Sequence, residues 1–182
     1  RTFLGTSTPK AFYGFSLDAK YKEFDCSIFL QGVAGVKVFN NAARTLTSMN
    51  SPNNQSITVL DRWNGAGTSH TIPRATLADP NGNNRFSDRF VEDASYLRVQ
   101  NLQVGYTMRQ SALQKISNGL IQQLRFYVAA SNLFTFTKYS GLDPEVTRGF
   151  SFQKGEMPLA NGQDDGNIPM PRIVQFGAKA IF

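Results

Sequence analysis

From Pro171 onward the chain reads Pro-Arg-Ile-Val-Gln-Phe-Gly-Ala-Lys-Ala-Ile-Phe, which sets Val174, Phe176, Ala178, Ala180 and Phe182 at alternate positions. Gln175, Gly177 and Lys179 fall between them, together with Ile173 and Ile181. Successive side chains of a strand point to opposite faces, so residues 172–182 are expected to form a two-faced strand that stops on an aromatic. A soluble domain has little reason to end on an exposed phenylalanine. A strand that closes a cylinder in a membrane does, because aromatic side chains sit at the lipid–water boundary.

The same alternation recurs upstream. In residues 11–21, Tyr13, Phe15, Leu17, Ala19 and Tyr21 share one parity, and Phe12, Gly14, Ser16, Asp18 and Lys20 share the other. After the polar joint Lys22-Glu23, residues 24–33 set Phe24, Cys26, Ile28 and Leu30 against Asp25, Ser27, Phe29 and Gln31, with Phe29 the exception on the polar side. Two such runs across a short joint predict a hairpin, and each is about 9–11 residues long, enough for a tilted strand to cross a bilayer. Residues 95–107 and 123–136 give two further strands. In the first of these, Leu97 and Val99 are out of phase with Leu102, Val104 and Tyr106, which a bulge would explain. Ser111–Ser117 reads as a short helix with a Ser N-cap and an Asn118-Gly119 stop.

Between these runs lie two stretches without periodicity, about 34–94 and 137–170, rich in Asn, Ser, Gly and Pro. Loops of that length count against a compact soluble domain but suit a barrel, which carries short turns at one rim and long loops at the other. Short and long connections alternate strictly along the chain. The expectation is therefore an all-β fold: five strands of a transmembrane antiparallel barrel with long extracellular loops and a periplasmic C-terminus. Five strands cannot close a barrel, so the remainder is expected elsewhere in a longer protein.

Composition narrows the alternatives. Fifteen Phe and six Tyr against one Trp fit the aromatic girdles of such a barrel. No apolar run is long enough for a membrane helix, and the start of the chain has no signal-peptide pattern. A net charge of +6 is scattered rather than clustered, which argues against nucleic-acid binding. Cys26 is the only cysteine and His70 the only histidine, so neither a disulfide, a cysteine zinc site nor a nucleophile–base pair is expected. Cys26 reads as a small apolar side chain and His70 as a solvated loop residue. No dinucleotide or phosphate-loop spacing occurs, and no cofactor is expected. Residues 79–84 and the pair Asp164-Asp165 are oxygen-rich, but Asx turns account for them better than a calcium site.

Three motif runs carry a family resemblance. They are Val91-Glu92-Asp93-Ala94-Ser95-Tyr96-Leu97-Arg98-Val99-Gln100-Asn101-Leu102 through Gly105-Tyr106, Asn132-Leu133-Phe134-Thr135-Phe136-Thr137-Lys138-Tyr139-Ser140-Gly141-Leu142-Asp143-Pro144-Glu145, and Gly162-x-Asp164-x-Gly166 followed by Ile168-Pro169-Met170-Pro171-Arg172. Together they resemble the C-terminal end of SusC/RagA-type TonB-dependent transporters. Ile168 and Leu142 stand where that family often has Tyr. The resemblance implies a barrel of about 22 strands with its plug domain outside this chain. It implies import of oligosaccharides or oligopeptides across the bacterial outer membrane, without chemistry on the substrate. A SusD-like surface lipoprotein would form the lid, and the TonB–ExbB–ExbD system would supply energy. A soluble all-β carbohydrate-binding or adhesin module explains the alternation but not the connection lengths. A siderophore-type TonB-dependent receptor of the same barrel class is a third, weaker reading.

Candidate site residues follow. Gln175, Gly177, Ala180 and Phe182 resemble the β-signal by which outer-membrane assembly machinery recognises a last strand. Arg125, Tyr127 and Lys179 lie on the lumen parity, where they face either plug or substrate. Trp63, flanked by Arg62 and Asn64, pairs an aromatic face with hydrogen-bond donors, which suits sugar rings or peptide backbone. Packing within the loop, or against the lid, is the plainer reading of these three.

Overall fold

The structure is a computed structural model and describes residues 2–117, 120–146 and 162–182. In chain order its elements are β1 (Ala11–Tyr21), β2 (Phe24–Ala34), β3 (Lys37–Asn40), α1 (Asn41–Leu46), β4 (Val91–Asp93), β5 (Tyr96–Thr107), α2 (Gln110–Ser117), β6 (Gln123–Thr137), β7 (Gln163–Asp164) and β8 (Ile173–Ile181). Short 3-10 turns occur at Ile57–Asp61 and Asp88–Phe90. The chain divides into two compact units. One comprises Lys10–Ala34, Ser95–Thr137 and Met170–Phe182, and the other Arg1–Pro9, Gly35–Ala94 and Lys138–Pro169.

The first unit is a five-stranded sheet in the order β1-β2-β5-β6-β8, antiparallel throughout. Register decides what each face carries. Phe15 lies opposite Leu30, Leu17 opposite Ile28, Cys26 opposite Val104, Val104 opposite Val128, and Val128 opposite Phe176. One face is thus apolar from edge to edge. The opposite face carries Asp18, Lys20, Asp25, Gln103, Arg125 and Lys179. Phe15, Leu17, Phe126 and Phe176 are exposed in this chain.

Two irregularities in the alternation have local causes. The register of β5 slips at Gln100, between Val99 and Asn101, and β6 answers with a jog between Ser131 and Phe134. This bulge returns Leu97 and Val99 to the apolar face. Asn132 sits in the jog with φ 54°, a left-handed value that Asn tolerates better than most residues, and its Nδ2 donates to the Pro171 carbonyl at 3.1 Å. Phe29, the aromatic out of place on the polar face, lies over Gly14 of the neighbouring strand.

The turn between β1 and β2 is Lys22-Glu23, with Lys22 at φ 54°. The Glu23 carbonyl accepts from Thr107 N at 2.7 Å, and its carboxylate pairs with Arg109. α2 starts at Gln110, so Ser111 falls inside the first turn rather than at the cap. The expected Asn118-Gly119 stop lies outside the described residues.

The second unit brings together stretches that carry no periodicity. A three-stranded sheet in the order β4-β3-β7 sits at its centre, with β3 antiparallel to β4 and parallel to β7. Val38, Phe39 and Phe90 are buried there, and Phe39 stacks on Phe86 with ring centres 4.2 Å apart. These strands are two to four residues long, too short for alternation to register in sequence. Residues 147–161, the middle of the second expected loop, lie outside the described residues.

Candidate functional site

The motif runs converge on a polar knot in the second unit. Asn40 caps α1 by accepting from Ala43 N at 2.8 Å, while its amide donates to Glu92 Oε1 at 3.0 Å. Glu92 also accepts from the Ser140 hydroxyl at 2.7 Å and the Ser140 amide at 2.9 Å. Tyr139 donates to Asp164 Oδ2 at 2.5 Å, and Asp164 Oδ1 accepts from Gly166 N at 2.8 Å and Asn167 N at 3.0 Å. Asp164 is 1% exposed, so satisfying both oxygens is what makes its burial tolerable. Burial and the adjacent Asp164 carboxylate raise the Tyr139 hydroxyl well above the usual tyrosine range. These acids are spent on holding loops, and no group of three metal-ligating side chains occurs among the described residues.

A cleft of about 680 Å³ lies elsewhere in the same unit, lined by Trp63, His70, Arg74, Arg85, Asp88 and Arg89 among others. Trp63 N donates to the Ile72 carbonyl at 3.0 Å, which closes the loop carrying His70. Asp79 folds a second wall by accepting from Asn83 N at 2.8 Å and Asn84 N at 2.9 Å, four and five residues on, rather than in an Asx turn. Arg44 ties that wall to α1 by donating to the Asn84 carbonyl at 2.8 Å. Burial pushes the Arg89 guanidinium below its ordinary value, the sign expected of a cation partly withdrawn from water.

Of the three adjacent residues read as substrate contacts, only Trp63 lines this cleft, and it is 40% exposed. Arg62 instead donates to the Val59 carbonyl at 3.5 Å, and the Asn64 amide donates to Thr68 Oγ1 at 2.8 Å. Arg74, Arg85 and Arg89 were not among the expected residues. They are dispersed over loops, and nothing in their spacing predicts that they meet.

On the polar face of the sheet, Arg125 and Lys179 are opposite one another and Tyr127 is opposite Gly177. Arg125 of β6 reaches across β5 to Asp25 of β2, with Nε 3.0 Å from Oδ1 and a second contact from Nη2 to Oδ2. It passes over Gly105, where any Cβ would meet both partners. The Tyr127 ring likewise covers Gly177. Gln175 and Gly177 therefore lie on this face, while Ala180 lies on the apolar one opposite Leu124.

No protein-family model matches the chain. Over its whole length it is 32% identical to TonB-dependent receptor P3 of Formosa agariphila, and it spans 17% of that protein. Over 75% of its length it is 30% identical to TonB-dependent receptor SusC of Bacteroides thetaiotaomicron, where the match spans 13%. Its fold is similar to that of a chain in the RagAB peptide importer in the closed-closed state, with a TM-score of 0.75 and 24% identity, covering 97% of this chain and 18% of that one. On these relatives and this fold, the chain belongs to the SusC/RagA family of TonB-dependent receptors.

Proposed function

We propose that the chain is the C-terminal barrel portion of an outer-membrane transporter that imports nutrient oligomers, oligosaccharides or oligopeptides, in a TonB-dependent manner. The observation that carries this reading is the five-stranded sheet with an apolar face free of charged residues and a polar face bearing charged side chains, among them the Arg125–Asp25 ion pair. A lipid-facing exterior and a hydrated lumen demand that division. β1 and β8 form the sheet edges, where the rest of a barrel of about 22 strands would continue. The second unit would form extracellular loops, Arg125, Tyr127 and Lys179 would face the lumen, and the C-terminus would be periplasmic. A plug elsewhere in the protein would couple to TonB–ExbB–ExbD, and a SusD-like lipoprotein would cover the loops.

The test is uptake of fluorescently labelled oligosaccharides and oligopeptides by cells carrying the full-length receptor, by cells lacking it, and by cells lacking TonB. Uptake that needs both, with a surface lipoprotein co-purifying, is the expected outcome. Uptake that survives removal of either overturns the reading. Iron-dependent expression without a lipoprotein would point instead to a siderophore receptor.

A further inference from the structure

We propose, building on the transporter reading, that the cleft bearing Trp63, Arg74, Arg85 and Arg89 is a subsite for acidic oligosaccharides, sugars carrying carboxylate or sulfate-ester groups. Three arginines line it against one acidic residue, Asp88. Among the described residues none of the three makes an ion pair or a side-chain hydrogen bond; Arg89 has only the adjacent Phe90 ring beneath it, 5.0 Å from its centre. Arg44, Arg109 and Arg125, by contrast, are each held by oxygen partners. A planar fork of donors matches the paired oxygens of a carboxylate or sulfate, so arginines that line one cleft without acceptors among the described residues suit an anion.

The indole defines the rest of the ligand. A pyranose presents a flat C–H surface to an aromatic face while its charged substituents project sideways toward the walls. The volume lies within the ~300–1,000 Å³ usual for ligand pockets, more than a lone anion requires. An acidic peptide fits less well. Extended peptides add main-chain hydrogen bonds along a sheet edge, and no residue lining the cleft belongs to a strand.

The experiment is calorimetric titration of the full-length receptor in detergent with four probes of matched length. These are an oligogalacturonide, a sulfated carrageenan oligosaccharide, a neutral malto-oligosaccharide and oligoglutamate. At least one acidic sugar should bind ten-fold or more tighter than the neutral one, and should weaken as sodium chloride is raised. Arg74→Gln and Arg85→Gln should each weaken it roughly ten-fold, and Trp63→Ala should weaken it comparably. Equal affinity for the neutral sugar, preference for oligoglutamate, no binding of either acidic sugar, or unchanged affinity in folded variants would each overturn the assignment. Should a variant fail to assemble, probe preference and salt dependence of the unsubstituted receptor decide it. Uptake separates the two readings. Import that needs TonB but ignores the arginines removes the subsite alone, whereas arginine-dependent binding without TonB-dependent import removes the transporter reading alone.

Discussion

Asp164 and Glu92 are acidic residues whose lone pairs are consumed by structure. Asp164 holds Tyr139 on one oxygen and the Gly166 and Asn167 amides on the other. Tyr139→Phe should therefore cost about 1.5–3 kcal/mol of local stability, the range for a hydrogen bond to a charged group. Asp164→Ala should cost more, because it also strands two backbone donors. Hydrogen exchange at Gly166 and Asn167 in the full-length receptor checks both, with faster exchange expected in Asp164→Ala than in Tyr139→Phe. The pH dependence has a definite sign. The Tyr139 pKa is raised above its ordinary 10.0, so the bond's contribution is whole below that pH and is lost as pH rises through the displaced value. Tyr139 should thus be absent from the phenolate absorbance that appears near pH 10 in the folded receptor, and return on unfolding. At the β1–β2 turn the sign reverses. Its hydrogen bond to Arg109 lowers the Glu23 pKa, so that contribution stands above the ordinary glutamate value and fades as pH falls through the lowered one.

At the scale of elements, the sheet is fitted together by glycines that admit a neighbour's side chain. Gly32 admits Tyr13, Gly105 admits the Arg125–Asp25 pair, and Gly177 admits Tyr127. Gly177→Val would drive a side chain into the Tyr127 ring and should cost about 1–3 kcal/mol by overpacking. Tyr127→Ser should restore much of that loss in the double variant, since the two positions are in contact and their effects are not additive. The readout is the fraction of full-length receptor that migrates as the compact, heat-modifiable form from outer membranes. A double variant no better than Gly177→Val alone would mean that Gly177 acts through recognition of the assembly signal, not through packing. The long strands were legible in sequence because alternation over nine or more residues exceeds chance, and even the bulge near Gln100 left its trace as a change of parity. β3, β4 and β7 were not legible. What holds them is partners distant in the chain, such as Phe39 against Phe86 and Glu92 against Ser140, and no local pattern records such contacts.

For the whole molecule, the same contrast separates the sheet from the cleft. The sheet repeats one rule, apolar on one parity and polar on the other, so the sequence displays it five times. The cleft is assembled once, by arginines at 74, 85 and 89 whose meeting depends on turns such as the one around Asp79. Trp63 was legible because a lone tryptophan invites attention, but its sequence neighbours do not line the cleft. The two parities also make a paired test of the proposed membrane setting. Val104 and Gln103 are adjacent on β5, the central strand, and lie on opposite faces. Arginine at a lipid-facing position costs about 2–4 kcal/mol near the bilayer midplane and much less toward its edges, whereas a lumen position tolerates it. Val104→Arg should therefore reduce the amount of receptor assembled in outer membranes, and Gln103→Arg should leave it near the unsubstituted level. The segment's own cysteine gives a second measure without any substitution. Cys26 is opposite Val104 on the apolar face, so in intact membranes it should resist a charged maleimide until the protein is unfolded. Ser27→Cys, one residue along and on the other face, should be labelled by the same reagent in the folded receptor. Rapid labelling of Cys26 in the assembled state would place the apolar face in water and remove the barrel reading.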